Sequence, residues 1–294
     1  GRPPGGMGLL PSNTFFGGLR DRVLTSIFNR VINQYLAQLN SVRKAFKLPE
    51  YQSFTDTYHL ADLRLIQTSK AFDAAITPAP KNVRYVGPVL DDPAWSSPLH
   101  GSKPGLEGKT EHDSTANLWP KNDTRPLVVV GLSSTFQNQA PLLQRIIDAA
   151  STLDIRCLVT LGPAMAQESF ALPSNVRTVS AVPHSQVFPL AAAVITHAGH
   201  STVMRALANG LPMVCVPMGR DQLDNAALVQ HHGAGLKLSA KTKAKTIAAA
   251  LKRVMEEPSF TEHATRLKQN ILADAQADRA LIELEKLAKG SESL

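Results

Sequence analysis

Residues 197–202, HAGHST, follow an apolar run and precede a helical pattern. Gly199 lets a backbone come close to a ligand, while the hydroxyls of Ser201 and Thr202 can cap a helix or donate to an oxyanion. His197 adds a donor that would be positively charged beside a phosphate. These residue types favour an anion-binding turn, although a capped helix after a polar strand end has the same composition.

Two further apolar runs end in small polar residues. Ser133 and Ser134 follow PLVVVGL, and Arg220, Asp221 and Gln222 follow PMVCVPMG. In an open parallel sheet, ligands bind where the strands end and the helix N-termini present free amides. Three such strand ends therefore predict one shared ligand site.

The elements that position these residues alternate from residue 125 onward. Strands are predicted at PLVVVGL, RCLVTLG, NVRTVS, AAVITH and PMVCVP, and helices at 138–152, 185–190, 201–209 and 223–232, with a helical tail from 246. Strands that are apolar throughout belong to a parallel sheet with both faces covered. The predicted fold is therefore a doubly wound α/β domain.

A polar stretch divides the chain. Residues 91–124 are rich in Pro, Ser, Gly, Lys and Asp, whereas the residues before them contain the strand patterns LRLIQTS and NVRYVGPVL. A polar stretch of this length is typical of a linker between domains. We predict a first unit at 1–90, a linker at 91–124 and a second domain at 125–294.

Composition excludes several classes of protein. The 294 residues are 43% hydrophobic and 19% charged, with no run long enough to cross a bilayer and no signal-peptide pattern. Cys157 and Cys215 lie in apolar runs, so we predict buried thiols in a reducing compartment and a cytoplasmic location. The net charge of +7 is compatible with nucleic-acid binding. The 5% aromatic content and the lack of zinc-finger or arginine-rich motifs argue against it.

Residues 19–47 form a basic segment with helical spacing of apolar positions. The segment holds six basic residues against one acid, Asp21. We favour a helix that packs on the core and turns its basic face to solvent. The alternative is peripheral contact of this helix with an anionic membrane.

The stretch VPHSQVFPLAAAVITHAGHSTVMRALANGLPMVCVPMGRDQLDNAALV, residues 182–229, closely resembles a known donor-binding signature. It is that of the nucleotide-sugar-dependent glycosyltransferases with two facing Rossmann domains (GT-B). Within them it is similar to the bacterial macrolide and sterol glucosyltransferases, which are related to the UDP-glycosyltransferases. NVRYVGPVLDDPAW resembles that group's interdomain boundary. The resemblance implies a Rossmann-like donor domain preceded by part of a Rossmann-like acceptor domain.

The resemblance also implies a place for each candidate residue around a nucleoside-diphosphate sugar. It puts Asp221 and Gln222 at the sugar, a task that suits a carboxylate, which accepts from two hydroxyls, and an amide, which donates and accepts. An ordinary helix cap remains the alternative for Asp221. The residues implied at the base and the diphosphate are Val182, Pro183 and His184, and Ser134, His197, Gly199, His200, Ser201 and Thr202.

Two positions depart from the family pattern. Arg205 stands where many members have a glutamate that holds the ribose hydroxyls, and Ala181 stands where an aromatic residue often stacks on the base. The donor is therefore expected to be either a UDP-sugar or a dTDP-sugar.

The resemblance implies an inverting transfer of a hexose to a hydroxyl of a small or lipid-like acceptor. No metal or other cofactor is expected, because helix amides and His197 can stabilise the leaving diphosphate. The family's general base is a histidine early in the acceptor domain, whereas the first histidine here is His59, near that domain's end. We therefore predict no catalytic residue in this chain and expect a fragment that lacks the N-terminal part of the acceptor domain.

Two other functions stay open from the sequence. One is a nucleotide-sugar-binding module that needs a partner chain for catalysis. The other is an unrelated basic α/β protein that binds nucleic acid, for which a strong salt dependence would be the signature.

Overall fold

The computed structural model describes residues 3–12, 14–74, 79–92, 118–120, 122–135, 138–165 and 167–290. Most of the predicted linker, residues 91–124, lies outside the described residues.

A six-stranded parallel sheet forms the centre of the second half of the chain. Its spatial order is β5-β4-β3-β6-β7-β8. The strands are β3 (Leu127–Gly131), β4 (Arg156–Thr160), β5 (Val176–Val179), β6 (Ala191–Thr196), β7 (Met213–Cys215) and β8 (Gly235–Lys237). Every neighbouring pair is parallel.

Helices cover both faces of this sheet. They are α4 (Ala140–Ala150), α5 (His184–Val187), α6 (His200–Ala208), α7 (Gln222–His231), α8 (Ala244–Glu256) and α9 (Pro258–Ala275). The last helix, α10 (Arg279–Ala288), has no buried residue. Val128 and Val130 pack in one core with α4 and α8, whereas Val129 packs in another with α6 and α9. Because alternate residues of one strand serve the two cores, β3 is buried on both faces. The predicted doubly wound α/β domain is confirmed.

The register brings three strand ends to one edge. Gly131 pairs with Thr196 of β6, and Thr196 pairs in turn with Cys215 of β7. The loops that follow β3, β6 and β7 therefore leave the sheet side by side.

The predicted element boundaries are close to the observed ones. The helices predicted at 138–152, 201–209 and 223–232 are observed within two residues of those bounds at each end. The short strand β8 was not among the predicted strands. Cys157 and Cys215 are buried and unpaired, as predicted, and burial raises the pKa of each thiol to about 12.

A two-stranded parallel sheet precedes this domain. It consists of β1 (Arg64–Ile66) and β2 (Val83–Tyr85). The Ser69 hydroxyl donates to Asp274 Oδ2 at 2.7 Å, and Arg84 Nε lies 3.2 Å from Glu283 Oε2. These contacts join the region around the small sheet to the C-terminal helices.

The basic segment differs from its prediction. It forms two helices, α1 (Phe15–Ile32) and α2 (Leu36–Ala45), joined by a 3₁₀ turn and followed by the short helix α3 (Asp56–His59). The expected packing on the core is wrong for the described residues, because the apolar stripe finds no covering element there and stays open to solvent. Its exposed members are Val23, Ile27, Val31, Tyr35, Val42 and Phe46. No helix in the described ranges is both long and apolar enough to span a membrane.

Candidate functional site

A cleft of about 410 Å³ lies at the carboxyl ends of the sheet strands, and we call it the strand-end cleft. Its volume is in the range of small-molecule sites. Ten of the eleven candidate residues line it, and the remaining one, Pro183, is buried. The ten are Ser134, Val182, His184, His197, Gly199, His200, Ser201, Thr202, Asp221 and Gln222. His59 is exposed at the end of α3 and is not a lining residue.

The turn between β6 and α6 presents an uncapped helix start. Gly199 is the N-cap residue, and no side chain caps the helix. The alternative of a helix cap at Ser201 or Thr202 is therefore not supported, and both residues line the cleft. The first amides of α6 lack intrahelical partners and carry the positive end of the helix dipole, so this helix start suits an anion.

Two contacts fix this turn from behind. Ala198 has a φ of 66°, which is rare for a residue with a side chain. Its carbonyl oxygen accepts a hydrogen bond from Asn225 Nδ2 at 3.0 Å, and its amide donates to Thr196 Oγ1 at 3.2 Å. Helix α7 therefore holds the turn that opens helix α6.

Gly199 makes room for a neighbouring side chain. A Cβ at this position would lie 2.4 Å from Nε2 of His197, a distance that side chains do not tolerate. The close approach of this backbone to a ligand stays a prediction, and the structure adds a second task for the glycine. It lets the imidazole of His197 fold back over the start of α6.

Three histidines of the cleft hold ring nitrogens without a hydrogen-bond partner in the described part of the chain. They are Nδ1 of His184, Nδ1 of His197 and Nε2 of His200, all of them buried. Buried polar atoms in proteins are almost always paired. Three unpaired nitrogens beside one cleft are therefore an unusual feature of this site.

Burial makes all three imidazoles hard to protonate. Desolvation, helped by the charge of Arg205, lowers the pKa of His184 to about 4. Desolvation also lowers the pKa of His197 and of His200, although Asp221 opposes the shift at both. Burial thus disfavours the charged form of His197, whereas a phosphate beside the ring, the setting in which the sequence predicted a positive charge, would favour that form. The charge of His197 beside a phosphate therefore stays a prediction.

The pair after β7 divides its hydrogen bonds between the turn and helix α7. Gln222 Oε1 accepts from the amides of Met218 at 2.8 Å and Gly219 at 3.2 Å. Asp221 Oδ2 accepts from Asn225 Nδ2 at 2.9 Å, and the carboxylate makes no capping hydrogen bond. The alternative of a simple helix cap at Asp221 is therefore not supported.

Sequence reasoning missed Asp92, which also lines the cleft. Its carboxylate accepts from the amides of His184 at 2.8 Å and Ser185 at 3.2 Å. Arg205, which the sequence marked only as a departure, donates through Nε to the carbonyl of Leu90 at 3.1 Å. Residues 90–92 are therefore fastened to one wall of the cleft.

Sequence reasoning also missed a support from the start of the chain. The amides of Gly6 and Gly8 donate to the two carboxylate oxygens of Asp224, at 2.5 and 2.6 Å. A Cβ at Gly8 would lie 2.9 Å from the carbonyl oxygen of Leu223. This segment braces the first turn of α7, which carries the pair at 221–222.

No group of three or more metal-binding side chains lies close enough to hold an ion in the described ranges.

The cleft brings together an open helix start, serine and threonine hydroxyls, imidazoles, one carboxylate–amide pair and two arginines. Such a set can bind a phosphorylated, hydroxyl-rich ligand.

Comparison with known sequences places most of this domain in one family. Residues 144–287 match the family described as "Erythromycin biosynthesis protein CIII-like, C-terminal domain". The 4'-demethylrebeccamycin synthase of Lentzea aerocolonigenes is 30% identical over 280 residues, which are 94% of this chain and 62% of that protein. The chain therefore spans less than two thirds of this relative.

Two solved structures extend the comparison. The glycotransferase of kitacinnamycin superposes with a TM-score of 0.69 at 20% identity, over 91% of this chain and 66% of that one. The glycosyltransferase VinC, solved in complex with dTDP, is 27% identical with a TM-score of 0.50, over 56% of this chain and 42% of that one. The first likeness concerns the fold, and the second covers about half of the chain.

Proposed function

We propose that this chain works as one of the two-Rossmann (GT-B) glycosyltransferases that it resembles, and that its strand-end cleft binds a UDP- or dTDP-sugar whose hexose is transferred to a hydroxyl acceptor. The observation that carries the proposal is the position of the open start of α6 beside the pair at 221–222 in one cleft. A diphosphate and a sugar need these two kinds of partner side by side.

The proposed ligand lies across the cleft in three parts. We place the base at Val182 and His184, with Pro183 behind them, and the sugar at Asp221 and Gln222. The diphosphate lies between them, where it receives the amides at the start of α6. Its other proposed partners are Ser134, His197, Gly199, His200, Ser201 and Thr202.

The glycosyltransferase VinC, solved in complex with dTDP, supports a pyrimidine nucleoside diphosphate as the ligand. In the described cleft, Asp92 supplies a carboxylate near Arg205, the position where the family pattern has a glutamate. We propose that a pyrimidine nucleoside diphosphate enters with its base toward this wall.

The proposed reaction is an inverting transfer. The acceptor oxygen gives up its proton to a general base and attacks the anomeric carbon as the bond to the diphosphate breaks, and the electron pair of that bond moves onto the diphosphate. The amides of α6 stabilise that charge, so we expect EDTA to leave the rate unchanged. We assign no residue of the cleft as the base. The acceptor is proposed to be a small or lipid-like molecule with a free hydroxyl.

Titration calorimetry with UDP and dTDP tests the site. We expect the parent chain to bind one of them and His197→Ala and Gln222→Ala to weaken binding about tenfold each, the effect of losing a hydrogen bond to a charged or polar ligand. The matched controls are His59→Ala and Gln38→Ala, both exposed and outside the cleft. Thermal melting checks Gln222→Ala, because Gln222 also holds its own turn.

Equal binding by the parent and both cleft variants would mean that the site lies elsewhere. A parent that binds the donor but transfers no sugar would favour the alternative function, a binding module that works with a partner chain. Binding of DNA with steep salt dependence and no nucleotide binding would favour the nucleic-acid alternative.

A further inference from the structure

The departure of a diphosphate leaves negative charge in the cleft. Burial disfavours the charged form of the three imidazoles around it, and two lining residues, Asp92 and Asp221, are acidic. The amides of α6 supply partial positive charge only. A full positive charge near the leaving group would therefore add to its stabilisation.

Arg205 and Arg220 are the two arginines among the described lining residues. Arg205 is already engaged, because Nε donates to the carbonyl of Leu90 and lies 4.0 Å from Asp92 Oδ1. A second nitrogen of the guanidinium, Nη2, donates to the carbonyl oxygen of Asp91. Arg205 therefore serves the wall that holds residues 90–92.

Arg220 is engaged much less. Within the described ranges its side chain makes one hydrogen bond, from Nη1 to Thr135 Oγ1 at 3.4 Å, and no ion pair with a carboxylate. Thr135 in turn shares a hydrogen bond with Ser133 Oγ at 3.0 Å. The guanidinium thus reaches from the turn before α7 to the loop after β3, across the part of the cleft between them.

The backbone holds Arg220 in this place at some cost. Its φ is 56°, a left-handed conformation that glycine or asparagine adopts more readily. A Cβ on Gly6 would lie 3.2 Å from the carbonyl oxygen of Arg220, so the braced N-terminal segment packs closely on this residue. Arginine at such a position is not explained by local backbone preference.

We propose that Arg220 binds the β-phosphate of the donor and stabilises the diphosphate as it leaves. The inference rests on the proposed function and adds a catalytic residue to it. Arg220 directly precedes Asp221, which we place at the sugar, so the phosphate nearest the sugar is the one it meets. The C1–O bond breaks with its electrons on that phosphate oxygen, and Arg220 donates N–H groups to it without transferring a proton.

Calorimetry with UDP and UMP, or with dTDP and dTMP if the parent prefers them, tests this role in three variants. Arg220→Asn removes the charge and suits the left-handed backbone, whereas Arg220→Lys keeps the charge. Lys47→Asn is the matched control. Lys47 is an exposed basic residue with a φ of 55°, and it does not line the cleft.

We expect Arg220→Asn to weaken binding of the diphosphate about tenfold and to leave monophosphate binding essentially unchanged. Arg220→Lys should recover part of the loss, and Lys47→Asn should bind like the parent. Melting curves check that each variant is folded.

Parent-like binding of the diphosphate by Arg220→Asn overturns the inference, as does an equal loss in Lys47→Asn. A parent that binds no nucleotide at all overturns the proposed function itself, which is a distinguishable result.

Discussion

Helices α4 and α1 both carry apolar residues at helical spacing, yet only α4 buries them. Leu143 of α4 is 0% exposed in the core below the sheet, whereas Leu19 of α1 is 48% exposed. The difference lies in what packs against each helix. Helix α4 packs on β3 and α8, whereas no described element covers the apolar residues of α1. Periodicity predicts which face of a helix is apolar, but the surrounding chain decides whether that face is buried.

The same substitution in the two helices gives the largest expected contrast. Leu143→Ala should lower the free energy of unfolding by about 2–5 kcal/mol, because it leaves a cavity in a packed core. Leu19→Ala should change it by no more than about 0.5 kcal/mol. Urea unfolding measures both, and equal losses would show that α1 is covered in solution.

The second-largest expected effect is a pH dependence of the free energy of unfolding, which arises from the burial of His184. The pKa of His184 is about 4 in the folded chain, against 6.5 for the ordinary side chain. The unfolded chain therefore binds more protons between those values, and the folded chain loses stability as the pH falls from 6.5 toward 4, by up to about 3 kcal/mol. The loss is absent above pH 6.5.

His184→Gln should flatten this part of the stability profile relative to the parent, as measured by urea unfolding at several pH values. His59→Ala is the control, because this exposed histidine should leave the profile unaltered. A parallel fall in the parent and in His184→Gln would contradict the assigned role of burial at His184.

Alanine substitutions of two glycines, Gly199 in the strand-end cleft and Gly18 in α1, give a smaller expected difference in stability. Gly199→Ala brings a methyl group within 2.4 Å of His197 Nε2, so the ring must move, at a cost of about 1–3 kcal/mol and with loss of nucleotide binding. Gly18→Ala meets nothing within 4 Å in α1 and should stabilise that helix by about 0.5–1 kcal/mol.

Melting curves and calorimetry on the two alanine variants decide between these outcomes. If Gly199→Ala melts and binds like the parent, the imidazole of His197 does not need the space that the glycine leaves.

The sequence contained enough to predict the sheet, its helices and ten lining residues of the cleft. Continuous apolar strands and the polar residues at their ends are local signals, and the parallel arrangement then brings the ends together. β8 escaped prediction because its residues, Gly235, Leu236 and Lys237, do not form an apolar run like the one around β7. Asp92 escaped because its partners, the amides of His184 and Ser185, lie more than ninety residues away.

The role of Gly199 shows a different limit. Its residue type indicated close approach of a ligand, whereas the contact that its missing Cβ permits within the chain is with the ring of His197, whose direction is set by tertiary packing. The lowered pKa of His197 escaped prediction for the same reason, because the residue type says nothing of burial. The bonds from Gly6 and Gly8 to Asp224 join residues more than two hundred positions apart.

A crystal structure of the chain with the UDP- or dTDP-sugar that it binds tests the central claim most directly. The account predicts diphosphate oxygens within hydrogen-bond distance of the first amides of α6, with the sugar hydroxyls against Asp221 and Gln222. A nucleotide bound away from the strand-end cleft, or one whose sugar points away from the 221–222 pair, would contradict it.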